Sequence, residues 1–314
     1  MVLNKTFKHT GIPKFYKNKE TFGDIDIIVC TDGFNGNLRE YIQENFNPNE
    51  IFHNGNCWSF DYNKIQIDFI TTPEKDFNSM LEYMGYNDLG NFIGCMSRGL
   101  GLKYGQEGLY YKHMFKGLYI GEILISKDLK KIYEFLGLSY EKLEEGFDEL
   151  EDIFKFVSNC KYFNWKRFQL TELNKMNRER NLKRKSYMSF LEWIDANVAD
   201  DNHLYNTKSK TQEEYNEMVI NFFPECDFEF YVRKLEYEHT KSLYIKAKFN
   251  GGDVMRKYGY KGKELGDVLN GFRTFCKQIH GNDSETFENF ILQNSKTVIY
   301  DLFERFLRVK ENYL

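Results

Sequence analysis

The sequence predicts an α+β chain, with a small mixed sheet in its first part and a mostly helical remainder. Three observations carry this. Asp24-Ile25-Asp26-Ile27-Ile28-Val29 begins with alternating acidic and apolar residues and becomes wholly apolar, as a strand entering a sheet does. Ile65-Gln66-Ile67-Asp68-Phe69-Ile70 is a second run of strong β-formers, interrupted by one carboxylate. From Ser126 onward the apolar residues recur at helical spacing instead. The expected organisation is a sheet domain over residues 1–125, a helical domain over 126–200 and a mainly helical domain over 201–314.

In order, residues 1–20 are a polar and basic lead-in with a short strand or turn at Gly11-Ile12-Pro13. Residues 37–46 space Leu38, Tyr41, Ile42 and Phe46 as a helix, which Asn47-Pro48-Asn49 ends. Residues 58–61 and 64–70 alternate as a hairpin about Tyr62-Asn63 and deliver Asp68. Pro73 starts a helix toward Tyr83, and Asp88 or Asn91 caps the next, whose Phe92, Ile93, Met96 and Leu100 face inward. Residues 109–111 and 117–125 are strands. Ser126 caps a helix that Gly137 stops. Helical spacing recurs over 143–157, 187–198 and 212–223, the last broken by Pro224. Residues 200–210 read as an exposed linker. Two further segments, 228–235 and 243–249, precede a helix beginning at Gly262, and a final core helix spans 286–309.

Successive strand residues face opposite sides, so Asp24 and Asp26 share a face, about 7 Å apart along the strand. Two such carboxylates repel unless a cation lies between them, which marks a candidate Mg²⁺ site. The plainer alternative is a strand leaving a turn, with Asp26 solvated. A third carboxylate, Asp68, on a neighbouring strand completes a two-metal constellation. This pattern, Gly23-Asp24-x-Asp26 on one strand and Asp68 on a later one, resembles the DNA polymerase beta superfamily of nucleotidyltransferases. The resemblance covers roughly residues 10–112. It continues through Asp68 to Glu74, Phe77, Tyr83, Asn91 and Gly101-Leu102-Lys103-Tyr104-Gly105-Gln106-Glu107-Gly108-Leu109, which are similar to the palm of family X polymerases. It implies a palm-type catalytic domain in which Asp24, Asp26 and Asp68 hold two Mg²⁺ ions (Mn²⁺ as a substitute) and act catalytically on a nucleoside triphosphate.

The departures are specific. Where the family carries Gly-Ser to grip phosphates, this chain has Thr10-Gly11-Ile12-Pro13, leaving Thr10, Gly11 and the ammoniums of Lys14, Lys17 and Lys19 as substitutes. The family X sugar-reading turn is replaced by Tyr83-Met84-Gly85-Tyr86-Asn87, so deoxyribose selection is not inherited. Asn87-Asp88-Leu89 resembles the Arg-Asp-Phe pattern of CCA-adding enzymes and bacterial poly(A) polymerases. The resemblance thus implies a nucleotide site drawn from Thr10, Gly11, Lys14, Lys19, Gly23, Asn87, Asp88 and Asn91.

The 314-residue composition is globular, 41% hydrophobic and 29% charged with four prolines. No charged-then-apolar leader opens the chain and no apolar run approaches the ~18 residues that span a bilayer. A cytoplasmic protein without membrane association is expected. Six scattered cysteines form no Cys-x-x-Cys pair, so reduced thiols are expected rather than disulfides or zinc. A P-loop is excluded, and Gly99-Leu100-Gly101 has no strand leading into it to mark dinucleotide binding.

The formal net charge of −4 hides segregation. Residues 141–152 hold seven acids and one lysine, whereas residues 161–185 hold nine bases, among them Lys161, Lys166, Arg167, Arg178, Arg180, Lys183 and Arg184, against Glu172 and Glu179. Tyr162, Phe163, Trp165, Phe168 and Tyr187 interleave with them. Two readings stand: a nucleic-acid path in which Trp165 stacks on a base, or a solvated face whose aromatics point into a core. Further on, Gly251-Gly252-Asp253-Val254 followed by Gly262-Lys263-Glu264-Leu265-Gly266 resembles a C-terminal motif of CCA-adding enzymes and poly(A) polymerases, with Lys261 in place of the usual proline. The resemblances imply transfer of nucleoside monophosphates to a nucleic-acid 3′ end. RNA is expected rather than gapped DNA, since the lyase and helix-hairpin-helix modules of repair polymerases have no counterpart here. A templated family X polymerase, or a transferase acting on a protein or small molecule, remains the alternative.

Overall fold

The computed structural model describes residues 3–198, 210–281 and 286–311. The chain is α+β, as the sequence predicts, and forms two compact units, residues 1–114 with 121–228 and residues 115–120 with 229–314.

The first unit begins with a one-turn helix, α1 (Leu3–Thr6), and the short strand β1 (Thr10–Gly11). Then come β2 (Asp24–Cys30), α2 (Leu38–Phe46), β3 (Ile51–Asn54), β4 (Cys57–Tyr62) and β5 (Ile65–Thr72). These five strands form a mixed sheet in the order β1-β2-β5-β4-β3, with β2 and β5 parallel and the other pairs antiparallel. The helix α2 is N-capped by Asn37, whose side chain accepts from the amides of Arg39 and Glu40, and ends at Asn47 in the left-handed region (φ 46°). Its Ile42 joins Ile67, Phe69, Phe60 and Val29 in the core of one sheet face. The β4–β5 hairpin turns through Asn63 and Lys64, both at positive φ.

The other sheet face is only partly covered. A 3₁₀ turn over Glu74–Asp76 leads into α3 (Phe77–Tyr83), whose Met80 packs on Ile28 and Ile70. α3 lies close to β1 here, and a Cβ on Gly11 would stand 3.0 Å from Leu81 Cδ1. α4 (Leu89–Arg98) follows, then a sheet of β6 (Leu102–Gly105), β7 (Gly108–Phe115) and β8 (Leu118–Ser126). β3 and β6 are strands that the sequence pattern does not mark, being four residues each.

The helices α5 (Leu129–Leu136), α6 (Tyr140–Glu145), α7 (Leu150–Ser158), α8 (Lys175–Leu182), α9 (Lys185–Asn197) and α10 (Gln212–Phe222) complete the unit. Asp128, not Ser126, caps α5 by accepting from the Lys131 amide. The single helix expected over 143–157 is two, because Gly146 (φ 86°, ψ −172°) leaves the helical region between α6 and α7. Phe92 of α4 meets Phe190 of α9 at 4.4 Å between ring centroids, with Phe154 of α7 and Phe168 around them. The expected linker lies outside the described residues up to position 209.

The second unit contains α11 (Phe228–Lys248), which begins at the unit boundary, then α12 (Gly251–Tyr258), α13 (Gly262–His280), α14 (Thr286–Gln293) and α15 (Lys296–Glu311). Where the pattern gives two segments over 228–249 the chain forms one 21-residue helix, and where it gives one helix over 286–309 it forms two. Phe272, Phe303, Ile291, Ile299 and Val254 centre its core. All six cysteines are free thiols. Among the described residues no helix is long and apolar enough to cross a membrane.

Candidate active site

The parallel pairing of β2 with β5 sets the register Asp24↔Gln66, Asp26↔Asp68 and Ile28↔Ile70. Side-chain alternation therefore puts all three carboxylates on one face, and adjacent strands lie about 4.8 Å apart. Farther along that face, α3 covers Ile28 and Ile70. The helix does not bury the acidic end of the strand, where Asp24 is exposed and Asp26 and Asp68 are half-buried. Ile25, Ile27 and Val29 point to the opposite face and hold the strand down beneath α2.

Electrostatics here are governed first by burial and then by like charge. Burial, reinforced by the charges of Asp24 and Asp68, pushes the Asp26 carboxyl up to about 6, while Lys19 and Arg184 pull against that rise. Gln66 Nε2 donates to Asp68 Oδ1 at 3.0 Å. An all-carboxylate donor set on one sheet face suits a hard divalent cation in kind. Among the described residues, no three His, Cys, Asp or Glu side chains already stand together as a metal-holding group. The three carboxylates thus match such an ion in chemistry and share a face and a register, but are not gathered into a metal-holding group.

Asp24 and Asp26 line a cavity of about 420 Å³, together with Lys14, Lys19, Arg180 and Arg184. This lies within the usual size of a small-molecule site. The loop from Ile12 to Phe22 forms one wall and is tied at several points. Lys17 and Asn18 donate their amides to the carbonyls of Phe147 and Asp148 at 3.0 and 2.9 Å, and Lys17 Nζ lies 2.6 Å from Asp148 Oδ1. Phe15 and Phe22 meet edge to face at 4.9 Å.

The turn after α3 supplies another wall at a cost in backbone strain. Tyr86 and Asn87 both adopt left-handed conformations (φ 51° and 60°), which is uncommon for a tyrosine. The surroundings hold it there: the Tyr86 ring is buried against Phe147, its hydroxyl donates to the Leu143 carbonyl at 3.0 Å, and its amide donates to Lys14 O. The result aims Asn87 Oδ1 at Lys19 Nζ, which donates to it at 3.2 Å.

Asp88 occupies the N-cap position of α4 yet makes no capping bond. Its carboxylate instead accepts from the Arg184 guanidinium and the Ser186 hydroxyl, 96 and 98 residues on. Asn91 Nδ2 donates to Asn181 Oδ1 at 3.2 Å while the residue also lines the cavity. Of the nucleotide-site candidates, Lys14, Lys19, Asn87 and Asn91 therefore meet at the cavity with Asp24 and Asp26. Thr10 and Gly11 pair with Val29 and Ile28 in the sheet and are not among the lining residues, Gly23 precedes β2, and Asp88 is sealed in its ion pair.

The basic stripe divides. Phe163, Phe168 and Tyr187 are buried in the helical core, as the solvated-face reading has it, whereas Trp165 is half-buried with Lys166 Nζ 5.7 Å from its ring centroid. Arg178 donates to the Leu173 carbonyl at 3.1 Å, and Lys183 is exposed. Lys161 and Arg167 line a second cavity of about 360 Å³ with Tyr162 and Lys210. Arg180 and Arg184 reach the acidic cavity instead. In the second unit, Asp253 of the C-terminal motif is held by Arg256 and Lys296, which lowers its carboxyl below the usual range, Lys296 contributing most.

Ile12, Phe15, Phe22, Tyr83 and Met84 also line the acidic cavity, and no spacing rule marks loop residues of this kind. Compared with protein-family models and with curated proteins, the chain has no match.

Proposed function

We propose that this chain is a metal-dependent nucleotidyltransferase that moves a nucleoside monophosphate from a nucleoside triphosphate to a nucleic-acid 3′ end, with RNA as the acceptor. The observation that supports it most is the cross-strand register of Asp26 and Asp68, with Asp24 and Asp26, though not Asp68, lining a cavity that also carries lysine and arginine. Asp24 and Asp26 would hold two Mg²⁺ ions, or Mn²⁺, and Asp68 one of them. Bound there, the ions would lower the acceptor hydroxyl's pKa and neutralise charge on the phosphates.

The acceptor's 3′ oxygen forms a bond to the α-phosphorus, the bond from that phosphorus to the bridging oxygen breaks, and pyrophosphate leaves. Asp68 takes the hydroxyl proton. Asn87 and Lys19, hydrogen-bonded to each other, orient the nucleotide from the cavity wall. The stretch Phe249 to Leu269, with its resemblance to CCA-adding enzymes, favours RNA over DNA.

Incubation with each α-labelled NTP and dNTP, Mg²⁺ and either a tRNA lacking its 3′ end or gapped DNA tests the reading. Label on the RNA, lost in Asp26→Asn, is expected. Absence of labelled product with every nucleotide and both acceptors would sink it.

A further inference from the structure

We infer that Arg180 and Arg184 form the subsite for the triphosphate of the incoming nucleotide, with Asp88 as the residue that positions Arg184. The inference rests on the nucleotidyl-transfer reading and replaces the Gly-Ser grip that this chain lacks.

Three features of the site carry it. First, both arginines line the same cavity as Asp24 and Asp26, although the sequence places them far downstream, in the basic stripe. Second, the Asp88–Arg184 pair is asymmetric. The Asp88 side chain is 4% exposed and that of Arg184 is 36% exposed, so the carboxylate is closed to any ligand while part of the guanidinium stays open. A guanidinium has five N–H donors, and fixing one edge on Asp88, which Ser186 also holds, leaves others for a phosphate. Without Asp88, the ligand itself would have to order this long side chain, at a cost in rotamer entropy.

Third, the cations converge rather than spread. An acceptor backbone presents phosphates along a path and asks for cations along a surface, as the exposed Lys166 and Lys183 provide. Arg180, Arg184, Lys14 and Lys19 instead surround one cavity of about 420 Å³. That geometry suits one compact polyanion placed next to the carboxylates, which a nucleoside triphosphate is and a nucleic-acid strand is not. Arginine also presents a fork that matches phosphate oxygens, giving the geometric control that lysine alone lacks.

The test uses the full chain with Mg²⁺ and two probes, ATP and inorganic tripolyphosphate, the second carrying the charge without a base. Arg180→Ala and Arg184→Lys, which keeps a cation for Asp88, should each weaken binding of both probes about 10-fold, the loss of one charged hydrogen bond. The KM for the triphosphate in transfer should rise by the same factor, with the acceptor's KM and salt dependence unchanged. Asp88→Asn should raise the triphosphate KM more than it lowers kcat, a split that loss of fold would not produce. Effects confined to the acceptor's KM or salt slope, or no effect on either substrate, would overturn the subsite while leaving the transfer reading intact. A wild-type chain that binds neither probe and transfers nothing would overturn both.

Discussion

Asp26 stands opposite Asp68 on adjacent parallel strands, with Asp24 two residues away on the same face. No sequence-local interaction brings the two together, and their mutual repulsion is part of what lifts the Asp26 carboxyl toward neutrality. The folded protein thus holds like charges on one sheet face, and that cost falls on stability.

The pH dependence of that cost has a definite sign. The Asp26 pKa is raised from 3.8 to about 6, so the folded chain keeps a proton that the unfolded chain has released. The penalty is absent below about pH 3.8, builds as pH rises through this window, and is complete above about pH 6. Asp26→Asn should raise metal-free stability at pH 7.5 by about 1–2 kcal/mol, less than the full shift implies because solvent reaches the carboxylate. At pH 3.5 the difference should vanish. Chemical denaturation at the two pH values reads this directly, and a variant less stable than wild type at pH 7.5 would contradict it.

Asp24→Ala and Asp68→Ala should each lower nucleotidyl transfer by more than about 100-fold, since even outer groups around a metal site cost about 10–100-fold when removed. Gln66→Ala, which deletes the 3.0 Å bond to Asp68, should cost a few-fold only. Steady-state rates of the purified variants, with circular dichroism as a folding control, check both. Wild-type rates in Asp68→Ala would remove it from the reaction.

Gly90 sits where α4 closes on the end of α3. A Cβ there would overlap the Tyr83 carbonyl oxygen, whereas one at Gly266 on α13 meets nothing within 4 Å. Gly90→Ala should therefore destabilise by about 1–3 kcal/mol and disturb the Tyr83–Asn87 wall, raising the nucleotide's KM. Gly266→Ala should stabilise by up to about 1 kcal/mol, from helix propensity alone. Melting of the two variants side by side makes the comparison, and equal effects would mean that the helix approach tolerates a methyl group.

The exposed half of the basic stripe has its own prediction. The double reversal Lys161→Glu with Lys166→Glu should reduce the slope of log K for RNA against log salt by roughly 0.7 for each phosphate no longer neutralised. Trp165→Ala should cost about 1–3 kcal/mol of RNA affinity if its half-buried ring stacks on a base. Filter binding across a salt series measures both. An unchanged slope would leave these lysines as a solvated face.

Local chemistry made much of the fold legible in the sequence. Alternation alone puts Asp24 and Asp26 on one strand face. The Asn37 cap and the left-handed Asn47 bound α2 from side-chain and backbone preferences acting within a few residues. Asp68 was likewise readable as a carboxylate within a strand. What the sequence could not determine is which strand lies beside which, and in what register. Parallel pairing joins segments with three elements between them, and a slip of one residue would turn Asp68 to the other face. Asp88 shows the same limit. Its sequence position predicts a helix cap, but a guanidinium and a hydroxyl nearly a hundred residues away compete for the carboxylate and win. Burial strengthens that charged pair beyond what a backbone amide at the helix start offers. Only the tertiary structure could thus turn a cap into a brace, and a basic stripe into two separate surfaces.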